Sequence, residues 1–130
     1  MNTIEIENKT TELIDETDIR DTINDALLKF GVKKSLIEIL FVSQEEIANL
    51  NKEYRQINKP TDVLSFPQPK IESVTIRVLG SIVINLEIVR AKEEDLSDVA
   101  KHGLLHLLGY DHEENDALWQ KSADQINCKL

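Results

Sequence analysis

Leu36-Ile-Glu-Ile-Leu-Phe-Val42, followed at once by Ser43-Gln-Glu-Glu46, is the stretch on which the fold reading turns. Residues 36–42 are β-rich and nearly all apolar, which suits a strand buried inside a sheet. Ser43 with Glu46 three residues on forms a capping box, so a helix opens where the strand ends, with Ile47, Leu50 and Tyr54 on one side. Upstream, Ile4 and Ile6 alternate with Glu5 and Glu7 as in a short strand. Ile19, Ile23, Leu27 and Phe30 then recur at helical spacing between Asp18, a candidate cap, and Gly31. Downstream, Val63 to Phe66 is a short strand stopped by Pro67 and Pro69. Val74 to Ile84 is one strand kinked at Gly80 or two strands meeting there. Asn85 is placed to cap a helix over 86–94, and Ser97 to cap another that ends near Gly109. Trp119, Ala123, Ile126 and Leu130 mark a last amphipathic helix. Strands and helices mix with too few βαβ units for a doubly wound fold. The expected class is α+β, a single mixed sheet of about four strands with helices packed on it.

The chain has 130 residues, enough for one domain with one sizeable core, and no repeat or linker divides it. Residues 1–130 are therefore expected to act as one unit. Hydrophobic residues at 41% and charged residues at 30% are the balance of a soluble globular protein. No apolar run approaches the roughly 20 residues that span a bilayer, so no membrane partner is expected. The N-terminus lacks the basic start and apolar stretch of a secretion signal. A lone cysteine, Cys128, forms no internal disulfide, which points to a reducing, cytoplasmic setting.

The net charge of −9 is unevenly spread. Residues 1–25 contribute −6 and residues 91–116 another −6, whereas residues 26–90 contribute +2. A solvated helix face accounts for the first acidic run. A negative field repels nucleic acid, so any RNA contact here should be local and selective.

All three histidines lie in one window, His102-Gly-Leu-Leu-His106-Leu-Leu-Gly-Tyr-Asp-His112. His102 and His106 are four apart and share a helix face. Gly109 lets the helix stop and the chain double back, so that His112 returns to the same point. Three neutral imidazoles suit one Zn²⁺ per chain, with the fourth tetrahedral position open to water or substrate. An ion so held lowers the pKa of a bound water to about 7. Leucines 104, 105, 107 and 108 surround this helix, so the metal site sits at the end of a buried helix whose histidine face opens into a cleft. The spacing matches the metzincin pattern H-E-x-x-H-x-x-G-x-x-H, but Gly103 stands where that pattern has its general-base glutamate. A closed structural site would need a fourth ligand, for which Asp111 and Cys128 are nearest.

A second constellation runs from Leu50-Asn51 through Tyr54-Arg55 to Lys59-Pro-Thr-Asp-Val-Leu-Ser-Phe-Pro67. Lys52, Arg55 and Lys59 face one acid, Glu53, before Pro60. The planar, permanently charged fork of Arg55 can bind two phosphate oxygens together, although a solvated helix-end arginine is the plainer reading when the residue is taken alone.

With the histidine window and the apolar strand around Leu79-Gly80, this stretch closely resembles the YbeY-type endoribonucleases, the rRNA maturation factors of bacteria and organelles. The resemblance implies a zinc-dependent endoribonuclease that prefers single strands. It also implies a part in small-subunit (16S) rRNA 3′-end maturation and ribosome quality control, with precursor rRNA, the small subunit and ribosome-associated proteins as partners. It puts the zinc ligands on His102, His106 and His112 and the active-site arginine on Arg55, so Arg55 and His102 are the expected catalytic residues. Where the family usually has aspartate after the glycine of the strand, this chain has Ser81. If that aspartate supports the metal shell, affinity falls; if it only ends a strand, little changes. Two other readings stay open: a zinc metallopeptidase-like hydrolase, and a non-catalytic ribosome-binding module with structural zinc.

Overall fold

The computed structural model describes residues 1–71 and 75–129; Val74 and Leu130, which the sequence assigns to a strand and a last helix, lie outside them. The elements are β1 (Asn2–Asn8), α1 (Glu16–Lys29), β2 (Ser35–Val42), α2 (Gln44–Arg55), β3 (Val63–Pro67), β4 (Arg77–Asn85), α3 (Leu86–Ala91), α4 (Leu96–Leu107) and α5 (Asp116–Gln125). They form the expected α+β fold, with one four-stranded mixed sheet in the order β1-β2-β4-β3. β1 and β4 run parallel to β2, and edge strand β3 runs antiparallel to β4.

The sheet is covered on both faces because its strands alternate two apolar sets. On one face, Ile37, Ile39 and Phe41 of β2 and Ile82 and Ile84 of β4 join Ile19, Ile23 and Leu27 of α1, Leu104 and Leu105 of α4 and Trp119 of α5 in the main core. On the other, Val42, Leu64 and Val83 close over Ile47 of α2 in a smaller cluster. α4 lies directly against β3 and β4, which carries the histidine window to the sheet edge.

Helix starts differ from the sequence expectation where several capping residues compete. Asp15, not Asp18, caps α1, its carboxylate accepting the Asp18 N–H at 3.0 Å. Asp95, not Ser97, caps α4 in the same way, accepting the Ser97 N–H at 2.8 Å. In α1 the turn that follows the cap is exposed, so apolar periodicity begins too late to locate it. Asn85 caps α3 as expected, but that helix ends at Ala91 rather than 94, because Glu93 turns left-handed at φ 55° with no glycine to announce it. Ser43 caps α2, accepting the Glu46 N–H at 3.1 Å, while the Glu46 carboxylate reaches Lys9 at 3.3 Å instead of closing the capping box. Tyr54 does not join Ile47 in the core; it is 58% exposed, with its ring against Phe66 of edge strand β3.

β4 is a single strand with a bulge. Val78 pairs with Leu36 and Gly80 with Ile37, so Leu79 is the extra residue. Gly80 has φ +132°, and a Cβ there would lie 2.1 Å from the Phe66 carbonyl oxygen. The absence of a side chain lets β3 approach. Gly80→Ala is expected to lower stability by roughly 2–4 kcal/mol, from the strained backbone and the overpacking together. Urea unfolding monitored by circular dichroism measures it, and an unchanged midpoint would remove the strain argument.

Candidate metal centre

The α4 sequence alternates what it buries and what it offers. Val99, Ala100, Gly103, Leu104, Leu105 and Leu107 are buried, while His102 and His106 are half-buried on the remaining face. Gly103 sits on the sheet. A Cβ at this position would come within 2.6 Å of Ile82 Cγ2, and its carbonyl accepts the Ser65 hydroxyl at 3.0 Å. After Leu108 the helix closes in a Schellman turn. The Gly109 N–H reaches the His106 carbonyl (3.1 Å) and the Tyr110 N–H the Leu105 carbonyl (3.0 Å), with Gly109 at φ +95°. Asp111 then tightens the return, its carboxylate accepting the Glu113 N–H at 2.8 Å and its carbonyl the Asn115 N–H at 3.0 Å. This turn delivers His112.

The three histidines converge as their spacing implies. One ligand atom from each lies within 4.8 Å of the others, and they are the group among the described residues that can hold a metal ion. His102 Nε2 and His106 Nε2 are 3.2 Å apart, close to the edge of about 3.3 Å expected between two nitrogens of a tetrahedral zinc site. Burial holds His106 below the ordinary histidine value of 6.5; Asp111 opposes this, and His112 and Arg55 add to the fall. His106 is thus neutral at pH 7, as a ligand must be.

The histidines open onto a cleft of about 520 Å³ that Arg55, Asp62, Ser65, Tyr110 and Asp111 also line. Arg55 ends α2, and the loop after it is tied down by buried Asn51, whose amide donates to the Lys59 carbonyl at 2.8 Å. The two sequence constellations therefore meet at one site. Asp111 and Cys128, weighed as closing ligands, do not join the cluster. Cys128 follows α5 rather than lying on it, is 7% exposed, and donates its thiol to the Asp98 carbonyl at 3.5 Å. Ser81 is not among the cleft residues; its hydroxyl donates to Glu38 of β2 at 3.1 Å.

The sequence pattern assigns Trp119 only to an amphipathic helix. Its ring, 2% exposed, has its centroid 4.9, 5.0 and 5.2 Å from those of His102, His106 and His112, packed against all three. As the chain's one tryptophan it was a visible signal, but nothing in the α5 pattern says which helix it faces.

The family model described as Endoribonuclease YbeY matches residues 3–126. The chain belongs to this family. A curated Endoribonuclease YbeY from Aliarcobacter butzleri is 44% identical over 118 residues, covering 85% of this chain and 79% of that protein. One from a Sulfurihydrogenibium species is 35% identical over 127 residues, covering 86% and 84%. The solution structure of TM1509 from Thermotoga maritima is similar at a TM-score of 0.56 and 28% identity, over 97% of this chain and 87% of that one. The YbeY-family match spans both constellations and Trp119.

Two outcomes follow from the geometry. Titrating a divalent ion into metal-free protein should change Trp119 emission saturably at about one equivalent, and His106→Ala should abolish most of the change; an unaltered titration in that variant would refute the ligand set. Because the folded protein holds His106 below 6.5, the unfolded chain binds more protons beneath that pH. Metal-free protein should therefore lose stability as pH falls through about 6.5, and the loss should shrink in His106→Ala. Melting temperatures at pH 7 and 5.5 test this.

Proposed function

We propose that this chain, acting as one domain over residues 1–130, is a zinc-dependent endoribonuclease that cuts single-stranded RNA. Its place is the cytoplasm, in 3′-end maturation of small-subunit rRNA and in quality control on the ribosome. The observation that carries the reading is the meeting of Arg55 with His102, His106 and His112 in one open cleft of a YbeY-family chain.

His102, His106 and His112 would hold the ion, and His102 acts in catalysis through that hold. A divalent ion bound there supplies a Lewis acid for a phosphoryl oxygen and a more acidic water. Arg55 presents its fork to the non-bridging oxygens and stabilises the added negative charge of the transition state. The tight turn at Gly109 and the Trp119 ring packed against them keep the imidazoles aimed. The attacking oxygen is that of water or of the RNA 2′-hydroxyl, and Asp111 orients the loop that carries His112.

The peptidase-like alternative is disfavoured by packing, since position 103, where the protease glutamate would stand, has no room for a side chain. The structural-zinc module is disfavoured by the open cleft and by a ligand group of three histidines among the described residues.

Metal analysis of purified protein, followed by incubation with single-stranded RNA, duplex RNA and casein beside a metal-depleted control, tests the reading. Arg55→Ala should keep metal and fold while cutting RNA turnover by roughly 10²–10³, the loss typical of one removed transition-state donor. Arg55→Lys should restore only part of it. Wild-type turnover by Arg55→Ala at matched metal content would remove Arg55 from the mechanism.

A further inference from the structure

Tyr54 has no role in the metal centre, yet it is a large aromatic held in the open. It is 58% exposed, and its ring meets Phe66 edge-to-face, with centroids 5.1 Å apart and planes at 70°. Such a contact uses at most one face of the ring, so the other meets solvent. The pair stands in a groove of about 590 Å³ between α2 and the sheet, floored by Leu40, Val42 and Val83 and walled by Leu50. The Lys9–Glu46 ion pair, also part of the lining, neutralises its own charge there.

Three observations decide what this groove takes. Ser65 and Pro67 of edge strand β3 line both the groove and the histidine cleft, so the two adjoin across the sheet edge. Tyr54 and Arg55 are consecutive, and Arg55 lines the cleft while Tyr54 lines the groove. Lys52, Arg55 and Lys59 make the surrounding stretch locally basic in a chain of net charge −9. A strand with its phosphate on Arg55 thus meets an aromatic surface one residue away, with apolar walls behind. That combination suits an unpaired nucleobase followed by its anionic backbone.

We propose that Tyr54, supported by Phe66, is a stacking platform for a base adjoining the phosphate held at Arg55. It is the feature by which the site selects single-stranded over duplex RNA. Bases in a duplex are stacked on one another and offer no free face, whereas an unpaired base can leave its strand for the tyrosine. The inference rests on the endoribonuclease reading above and adds to it the element that discriminates strands.

The test uses the full chain loaded with zinc, with RNA oligomers of about twelve nucleotides, single-stranded or annealed to their complement. Tyr54→Ala is expected to raise KM for the single strand roughly 5- to 150-fold, the range of one lost base–aromatic stack, with metal content unchanged. The penalty should be smaller for duplex RNA, so the preference for single strands falls, and Tyr54→Trp should restore it. Photocrosslinking of 4-thiouridine RNA should mark the peptides that carry Tyr54 and Phe66. If Tyr54→Ala keeps wild-type KM and strand preference while Arg55→Ala loses turnover, the platform is wrong and the endoribonuclease reading stands. If wild-type protein cuts neither RNA, both fall. A groove that serves instead as a contact between copies would show as a dimer in sedimentation that Tyr54→Ala dissolves without changing RNA affinity, which also overturns the platform.

Discussion

The close seat of α4 on the sheet at Gly103 is the constraint on which the rest depends. With no side chain at that position, the helix backbone comes down onto Ile82, Val63 and Ser65, and the Ser65 hydroxyl pins its carbonyl. Rotation about the helix axis is thereby fixed. His102 and His106 then lie on the half-buried face, and the leucines at 104, 105 and 107 are consigned to the core. Because Ser65 belongs to edge strand β3, the same contact ties the helix to the segment that leads back to Arg55. Core packing and site geometry are one arrangement here, and a larger residue at position 103 would disturb both.

That seat also explains why a shared histidine spacing does not carry a shared chemistry. The pattern of two histidines four apart, a glycine and a third histidine describes how a helix and a turn bring three imidazoles together, and this chain does that. The residue after the first histidine has no such freedom. It faces the sheet, where even a methyl group would crowd Ile82. A glutamate general base at 103 is therefore excluded by packing, not merely missing from the sequence. Spacing specifies the ligand geometry, while the surroundings of each intervening position decide what else the site contains.

Much of this was legible in the chain because it rests on local pattern. The buried strand at 36–42, the Ser43 cap, the i, i+4 histidines and the Gly109 turn are all read from residues a few positions apart, and all stand in the structure. What escaped depends on neighbours distant in sequence. Asp15 and Asp18 are equal as caps until the N–H that needs satisfying is known. Tyr54 continues the apolar side of α2, but whether it is buried depends on how far the sheet extends beneath it, and the sheet ends at β3. Trp119 is separated from the histidines by a turn and a helix start, so only the packing of α5 on α4 reveals its contact with them.

The charge pattern makes the proposed RNA contact depend on something other than bulk attraction. The cleft includes Asp62, Asp111, Glu113 and Glu114 against the single arginine, Arg55. These carboxylates oppose a polyanion. Productive binding then has to come from short-range terms, namely an ion on the three imidazoles, one bidentate arginine and one uncharged stacking surface. Each of these acts only on a strand already in register with the others. A protein built this way trades the broad electrostatic capture common among nucleic-acid enzymes for short-range contacts, of which the proposed stacking surface is the one a duplex cannot satisfy.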